Sequence, residues 1–231
     1  MGYPCGNVDI FRPRPRPVPM LLVYLDPFHL GDPLFLSRFA RDVKAHDGPL
    51  VFLHGSGEDG ERTLEMQGLV PERRSGVLVV KSAEERDLVE RAVRDLNRRI
   101  VHALNEEGVA AVRVMGNDRR LLRLQDGQLE TGSVGWVAKL AHQHAVPVVA
   151  AWAAGEKGSQ EADPVAAVSS LAQALAAERE AVAVWLLQGG FRPGEDEAMV
   201  EQLSAAGVPV VVAPAGALRE ADPRPDRPKS P

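Results

Sequence analysis

Cysteine is almost missing from this chain. Cys5 is the single one in 231 residues, which excludes a disulfide framework and any zinc site built from several thiolates. Long apolar runs are missing too. Stretches such as Met20 to Val23 or Val208 to Ala213 fall far short of the roughly 20 residues a membrane-spanning helix requires. There is no excess of positive charge: charged residues make up 26% of the chain and the formal net charge is −5, without the clustered basic face of a nucleic-acid binder. The first residues hold no apolar signal core, only the Pro-Arg stretch FRPRPRPVP at 11–19. These absences lead us to expect a soluble, cytoplasmic protein with neither a membrane nor a nucleic-acid partner.

What the chain does have is alternation. With 45% hydrophobic residues it can fill one or two packed cores. Apolar runs at 20–25, 49–54, 109–115, 146–152, 181–187 and 208–214 read as strands. Amphipathic stretches at 32–46, 58–67, 82–108, 134–144, 163–178 and 195–206 read as helices. Asp32 is the expected N-cap of the first helix. Ser82 and Glu85 spell a capping box for the long one, which ends at Gly108. LQDGQL, at 124–129, has the form of a hairpin. Strands that are apolar throughout, separated by amphipathic helices, imply a mostly parallel sheet covered on both faces. That is a three-layer αβα sandwich, whose ligands sit at the carboxyl ends of the strands. Residues 1–18 are expected as a flexible Pro/Arg-rich arm, 19–218 as a single domain and 219–231 as a disordered tail.

At one of those strand ends stands PLVFLHGSGEDGER, residues 49–62. A strand, a glycine turn and a helix in that order can hold a phosphate at the helix N-terminus. The same pattern also serves as a plain bend between strand and helix, and spacing alone leaves both readings open. It is not a Walker A loop, because Glu61 and Arg62 stand where Lys and Ser/Thr belong. His54 is the only histidine placed for chemistry, with a satisfied structural role as its alternative. His142 and His144, two apart, cannot share a metal, and no metal is expected. There is no Gly-x-Ser-x-Gly elbow for a hydrolase. Trp136, Trp152 and Trp185 read as core or interface residues.

The order of the pieces resembles the amino-acid kinase superfamily, and the N-acetylglutamate kinases within it, over roughly residues 20–216. LLVYLDP occupies the place of the family's first strand with its Lys-x-Gly-Gly. VFLHGSGED resembles the strand ending in His-Gly-Gly-Gly. RRSGVLVVKSAEERDLVERAVRDLNRRIVHALNEEGVAAVRVMGND is similar to the segment that runs from Asn-Gly-x-Arg-Val-Thr through a long helix to Gly-x-Asp. GSVGWV, VPVVAAW and SQEADPVAAVSSLAQALAAE follow the family's Gly-x-Val-Gly, buried strand and Asn-x-Asn-Ala-Asp helix. GGFRPGEDEAMVEQLSAAGVPVVVAPAG resembles its Gly-Gly-Met-x-x-Lys helix and closing strand.

The resemblance implies transfer of the ATP γ-phosphoryl group to a carboxylate, with a transition state held by cations and amide dipoles. Several positions depart from that chemistry. The first-strand lysine is Tyr24, and no lysine precedes Lys44. The adjoining glycines are Asp26 and Pro27. The substrate-clamping arginine is Leu78, and the second reaction-centre lysine is Gly194. The two asparagines are Ser159 and Glu161, and only Gln188 separates Leu187 from Gly189, where the family carries a nucleotide-binding stretch. No catalytic position is then intact. Gly55, Ser56, Gly57, Ser159 and Asp163 remain as candidates for substrate or phosphate binding, and no cofactor is expected. The expectation is a degenerate, non-catalytic family member with reduced nucleotide lobe, which binds a small amino-acid metabolite or acts as a partner subunit in arginine biosynthesis. It would form homo-oligomers, or hetero-oligomers with an active kinase or pathway enzyme, with the helix at 83–106 near the contact. The alternative is an active kinase using ATP and Mg, its cations drawn from Lys81, Lys139, Lys157, Arg73 or Arg74. A third reading, an unrelated α/β enzyme, uses His54 with Asp163.

Overall fold

The computed structural model describes residues 19–74, 76–156, 158–190 and 196–221. The arm at 1–18, Lys157, Gly194 and most of the tail lie outside the described residues. The strands are β1 Met20–Leu25, β2 Leu50–His54, β3 Arg73–Arg74, β4 Val77–Leu78, β5 Ala111–Met115, β6 Leu122–Gln125, β7 Gln128–Thr131, β8 Val146–Ala150, β9 Trp152–Gly155, β10 Gly158–Glu161, β11 Val182–Leu187 and β12 Val210–Ala213. The helices are α1 Pro27–Leu30, α2 Phe35–Lys44, α3 Asp59–Glu65, α4 Ala83–Glu106, α5 Gly135–His142, α6 Pro164–Ala177 and α7 Asp196–Ala205.

Six of the strands form one sheet in the order β12-β11-β1-β2-β8-β5, and every pairing in it is parallel. Parallel strands need crossovers, and the crossovers put helices on both faces. In β1 the two faces divide by residue parity. Leu21, Val23 and Leu25 point into a core with Phe35, Phe39, Leu96 and Ile100 of α2 and α4. Met20, Leu22 and Tyr24 point into the opposite core with Val137, Val168, Leu171, Met199 and Leu203 of α5, α6 and α7. A slip of one residue would exchange the two sets, so the register is fixed by both cores at once. The three-layer αβα sandwich with a parallel main sheet is thus present.

A smaller sheet, β10-β9-β6-β7, stands beside the main one. Its β6–β7 hairpin turns at Asp126 and Gly127, both with positive φ of 50° and 76°, the backbone that a two-residue hairpin turn demands. The short β3–β4 hairpin forms a third, two-stranded unit.

Two sequence expectations shift in detail. Asp32 does not cap α2: its Oδ1 accepts from the Leu34 N–H at 2.9 Å, closing a local turn two residues on, and the helix starts after Leu34 with no side-chain cap. The capping box of α4 is also skewed. Ser82 Oγ accepts from the Glu85 N–H at 3.1 Å, but Glu85 Oε2 reaches back to the N–H of Lys81 instead of Ser82. At the other end, a 3-10 turn at Ala215–Glu220 carries the chain past 218, because Arg219 pairs with the buried Asp42. Among the described residues, no helix is long and apolar enough to cross a membrane.

Phe52 is fully buried in a central strand and its ring lies 5.3 Å from that of Phe39. Phe52→Ala is expected to cost about 3–5 kcal/mol through the lost burial and the cavity left behind. Val212→Ala, on an edge strand at 46% exposure, is expected to change stability by about 0.5 kcal/mol or less. Urea unfolding of the two variants checks both.

Candidate functional site

The glycine turn after β2 lies at the carboxyl end of the main sheet. Ser56 is fully buried, and Gly57 takes φ +59°, a left-handed conformation that favours glycine. The turn does face an anion, but one supplied by the chain itself. Glu161, the last residue of β10, places its carboxylate between two backbone donors. The Ser56 N–H donates to Oε1 at 2.7 Å and the Leu78 N–H donates to Oε2 at 3.0 Å. Glu161 is 4% exposed. Gly55 makes room for this approach: a Cβ there would sit 2.7 Å from Pro164 Cγ and 3.3 Å from Glu161 Oε1.

Arg73, from the β3–β4 hairpin, braces the same turn. Its Nη2 donates to Gly57 O at 2.8 Å and to Ser56 Oγ at 3.2 Å, its Nη1 to Gly76 O at 2.8 Å, and its Nε to Glu61 Oε1 at 2.6 Å. Nη1 also stands 3.7 Å from Glu161 Oε2. Every nitrogen of this guanidinium therefore has a partner within the protein.

Beneath the turn, His54 is fully buried and has both ring nitrogens engaged. Nδ1 donates to Gly55 O at 2.7 Å, and Nε2 accepts from Asn97 Nδ2 at 2.9 Å, which also donates to Val148 O. A carbonyl can only accept, so the proton sits on Nδ1. Burial lowers the pKa of this imidazole to about 4, against the opposing pull of the Gly55 carbonyl and with a smaller contribution from Arg99. It is a neutral, structural histidine. The reading that pairs His54 with Asp163 finds no free ring nitrogen, and Asp163 itself caps α6, accepting from the Val165 N–H at 2.9 Å.

A second glycine turn, Gly189–Gly190, follows β11 and meets the end of β1. There the carboxylate of Asp26 lies so close to Gly190 that a Cβ on that glycine would fall 2.2 Å from both carboxylate oxygens. Asp26 caps α1 through the His29 N–H at 3.0 Å, and its other oxygen pairs with His29 Nδ1 at 2.7 Å. The ring of His29 packs edge-on against Phe28 and is tilted against Phe35. The end of the first strand thus carries a buried carboxylate.

The other sequence candidates scatter. Ser159 Oγ accepts from Asn117 Nδ2 at 2.8 Å, two residues before Glu161 on the same strand. Leu78 is buried and contributes only its backbone donor. Tyr24 is buried in the core beneath the strand end. Lys81 and Arg74 both pair with Glu72, and Lys139 lies on the surface of α5. Among the described residues, no group of three His, Cys, Asp or Glu could hold a metal ion. Sequence reasoning listed Arg73 and missed Glu161 as a ligand of the turn. The one signal for it was an acid in the family's second asparagine position.

No protein-family model matches the chain. Acetylglutamate kinase of Chloroflexus aurantiacus is 33% identical over 199 residues, covering 78% of this chain and 77% of that protein. Acetylglutamate kinase of Geobacter sulfurreducens is 30% identical over 176 residues, covering 65% and 60%. Among solved structures, an isopentenyl phosphate kinase superposes with a TM-score of 0.65 at 16% identity, covering 87% of this chain and 95% of that one. N-acetylglutamate synthase from Neisseria gonorrhoeae gives 0.63 at 17% identity, covering 89% and 57%. At these identities the structural likeness shows the fold.

Two outcomes test the site as described. Glu161→Ala would strand two buried N–H groups and is expected to cost about 2–5 kcal/mol, with Glu161→Gln, which keeps one carbonyl acceptor, losing roughly half of that. For His54, the folded pKa lies below the unfolded value of 6.5, so the unfolded state binds the extra proton. Its contribution is complete above pH 6.5 and is lost as pH falls towards 4. Stability is expected to be about 2 kcal/mol lower at pH 5 than at pH 7.5 from this group, and His54→Gln is expected to remove that slope. Urea unfolding at the two pH values measures it.

Proposed function

The chain belongs to the acetylglutamate kinase family, and on that premise we propose that it no longer transfers phosphate and acts by binding, as a metabolite-sensing or partner subunit in arginine biosynthesis. The observation that carries this reading is Glu161 on the amides of Ser56 and Leu78. In the family this turn offers backbone donors to the substrate, and here a carboxylate of the protein takes the one from Ser56.

The charges around it support the same reading. Phosphoryl transfer is stabilised mainly by cations and dipoles aimed at the transferred group. Tyr24 is a phenol in the place of a lysine, and Asp26 adds a negative charge against Gly190. Removing a single charge-stabilising group typically lowers the rate by about 10²–10³, and groups acting together are not additive. Both of these changes stand at the end of the first strand, and Gly194 replaces the second lysine. These residues do not fit ATP and Mg in the manner of an active family member.

One observation favours the active-kinase reading: Arg73 reaches the glycine turn, as such an enzyme would require. Its nitrogens are already bonded to Glu61, Gly76, Gly57 and Ser56. It would have to leave all of them to meet a phosphate, which argues for a brace over a catalytic cation.

The test is ADP release from Mg-ATP with N-acetylglutamate, glutamate or aspartate as acceptor, run beside thermal unfolding with the same compounds and arginine. No acceptor-dependent ADP is expected, and Mg-ATP is expected to leave the melting temperature unchanged. A sensor would reveal itself through a shift with an amino-acid metabolite. A ligand at 100 times its Kd stabilises by about 2.7 kcal/mol, or roughly 5–10 °C for a chain of this size. Acceptor-dependent ADP release would overturn the non-catalytic reading.

A further inference from the structure

Away from the glycine turns, a concavity of about 620 Å³ opens at the edge of the main sheet, between β5, the turn that follows it and α5. Three cations line it: Arg113 from β5, Arg119 from the turn and Lys139 from α5. Among the described residues none of the three makes an ion pair, although most of the other described arginines are paired. This is an unusual concentration of unspent positive charge in a chain of net charge −5.

The site has shape as well as charge. Arg119 holds φ 50°, a left-handed conformation that costs a non-glycine residue free energy. In it the guanidinium carbon lies 5.1 Å from the ring centre of Trp136, close enough for a cation–π contact that orients the cation. Trp136 and Leu140 supply an apolar wall, and the indole Nε1 of Trp136 is buried with no acceptor among the described residues. The single acid in the lining, Asp118, turns one oxygen to the Met115 N–H at 2.8 Å.

We propose that this concavity is a binding site for a small polyanion, held by Arg113, Arg119 and Lys139 against the Trp136 wall. Converging cations with an apolar face select ligands that carry two or more negative charges on a compact body. Carboxylates and phosphates share that chemistry. The inference is independent of the glycine turn, since none of these residues touches it.

The test titrates the full chain with citrate and, separately, with inorganic pyrophosphate, against sodium chloride at matched ionic strength. Calorimetry measures binding, and tryptophan fluorescence locates it through Trp136→Phe. A saturable response to either probe is expected, in the sub-millimolar range, with the fluorescence part lost in Trp136→Phe. The double variant Arg119→Ala, Lys139→Ala is expected to bind at least about tenfold more weakly, as loss of charge-assisted bonds implies. Citrate alone would identify a carboxylate ligand and pyrophosphate alone a phosphorylated one. The proposal is overturned if neither probe exceeds the chloride control or if the double variant binds as tightly as the parent chain. It also fails if the double variant changes only the oligomeric state, which would assign these cations to guarding the open edge of β5.

Discussion

Three separate parts of the chain meet on one carboxylate. Glu161 ends β10 of the small sheet, Ser56 begins the turn after a central strand of the large sheet, and Leu78 belongs to the β3–β4 hairpin. A buried carboxylate needs hydrogen-bond donors or a counter-charge as partners, and it finds two amides at hydrogen-bond distance and a guanidinium just beyond it. The requirement works in both directions. The buried Ser56 and Leu78 amides, one from the glycine turn and one from the hairpin, would be left without this partner if the acid were absent. The arrangement therefore locks the hairpin and the small sheet onto the end of the main sheet, and Arg73 closes the lock from the outside.

The second glycine turn follows the same logic with different residues. Asp26 presses on Gly190 and is itself held by the backbone and ring of His29. Both turns at the strand ends, where an α/β sheet ordinarily receives its ligands, are thus engaged by acids of the same chain. The histidine under the first turn adds to the rigidity. Its neutral ring ties the turn carbonyl to Asn97 of the longest helix, so the bend is anchored to a helix and a strand as well as to its acid.

Much of this architecture was legible in the sequence because its signals are local. Largely apolar runs marked the six strands of the main sheet, with Arg113 the exception in β5, and 3.6-residue periodicity with the Ser82 cap marked the long helix. Asp-Gly at 126–127 announced a hairpin turn, and the glycine turn itself was plain. The strands β3, β4, β9 and β10 were not legible, since two to four residues carry no periodicity. The contact that matters most, Ser56 with Glu161, joins residues 105 positions apart, and no spacing rule reaches that far. The acid at 161 reads as one more charge in a polar stretch until the fold carries it under the turn. Asp32 misled for the opposite reason: its side chain satisfied a nearer amide than the one a helix cap would use.

The pairing of β1 also constrains how the protein is made. Met20 lies against Val182 and Tyr24 against Leu186, so one side of the first strand waits for a partner synthesised roughly 160 residues later. At about 5–20 residues per second, that is on the order of ten to thirty seconds during which a wholly apolar strand leaves the ribosome with half of its hydrogen bonds open. Early pairing with β2 covers the other side, but the centre of the sheet cannot close before three-quarters of the chain has emerged. Sheet closure is therefore a late event in biosynthesis, and until then the β11 side of the first strand is an open edge.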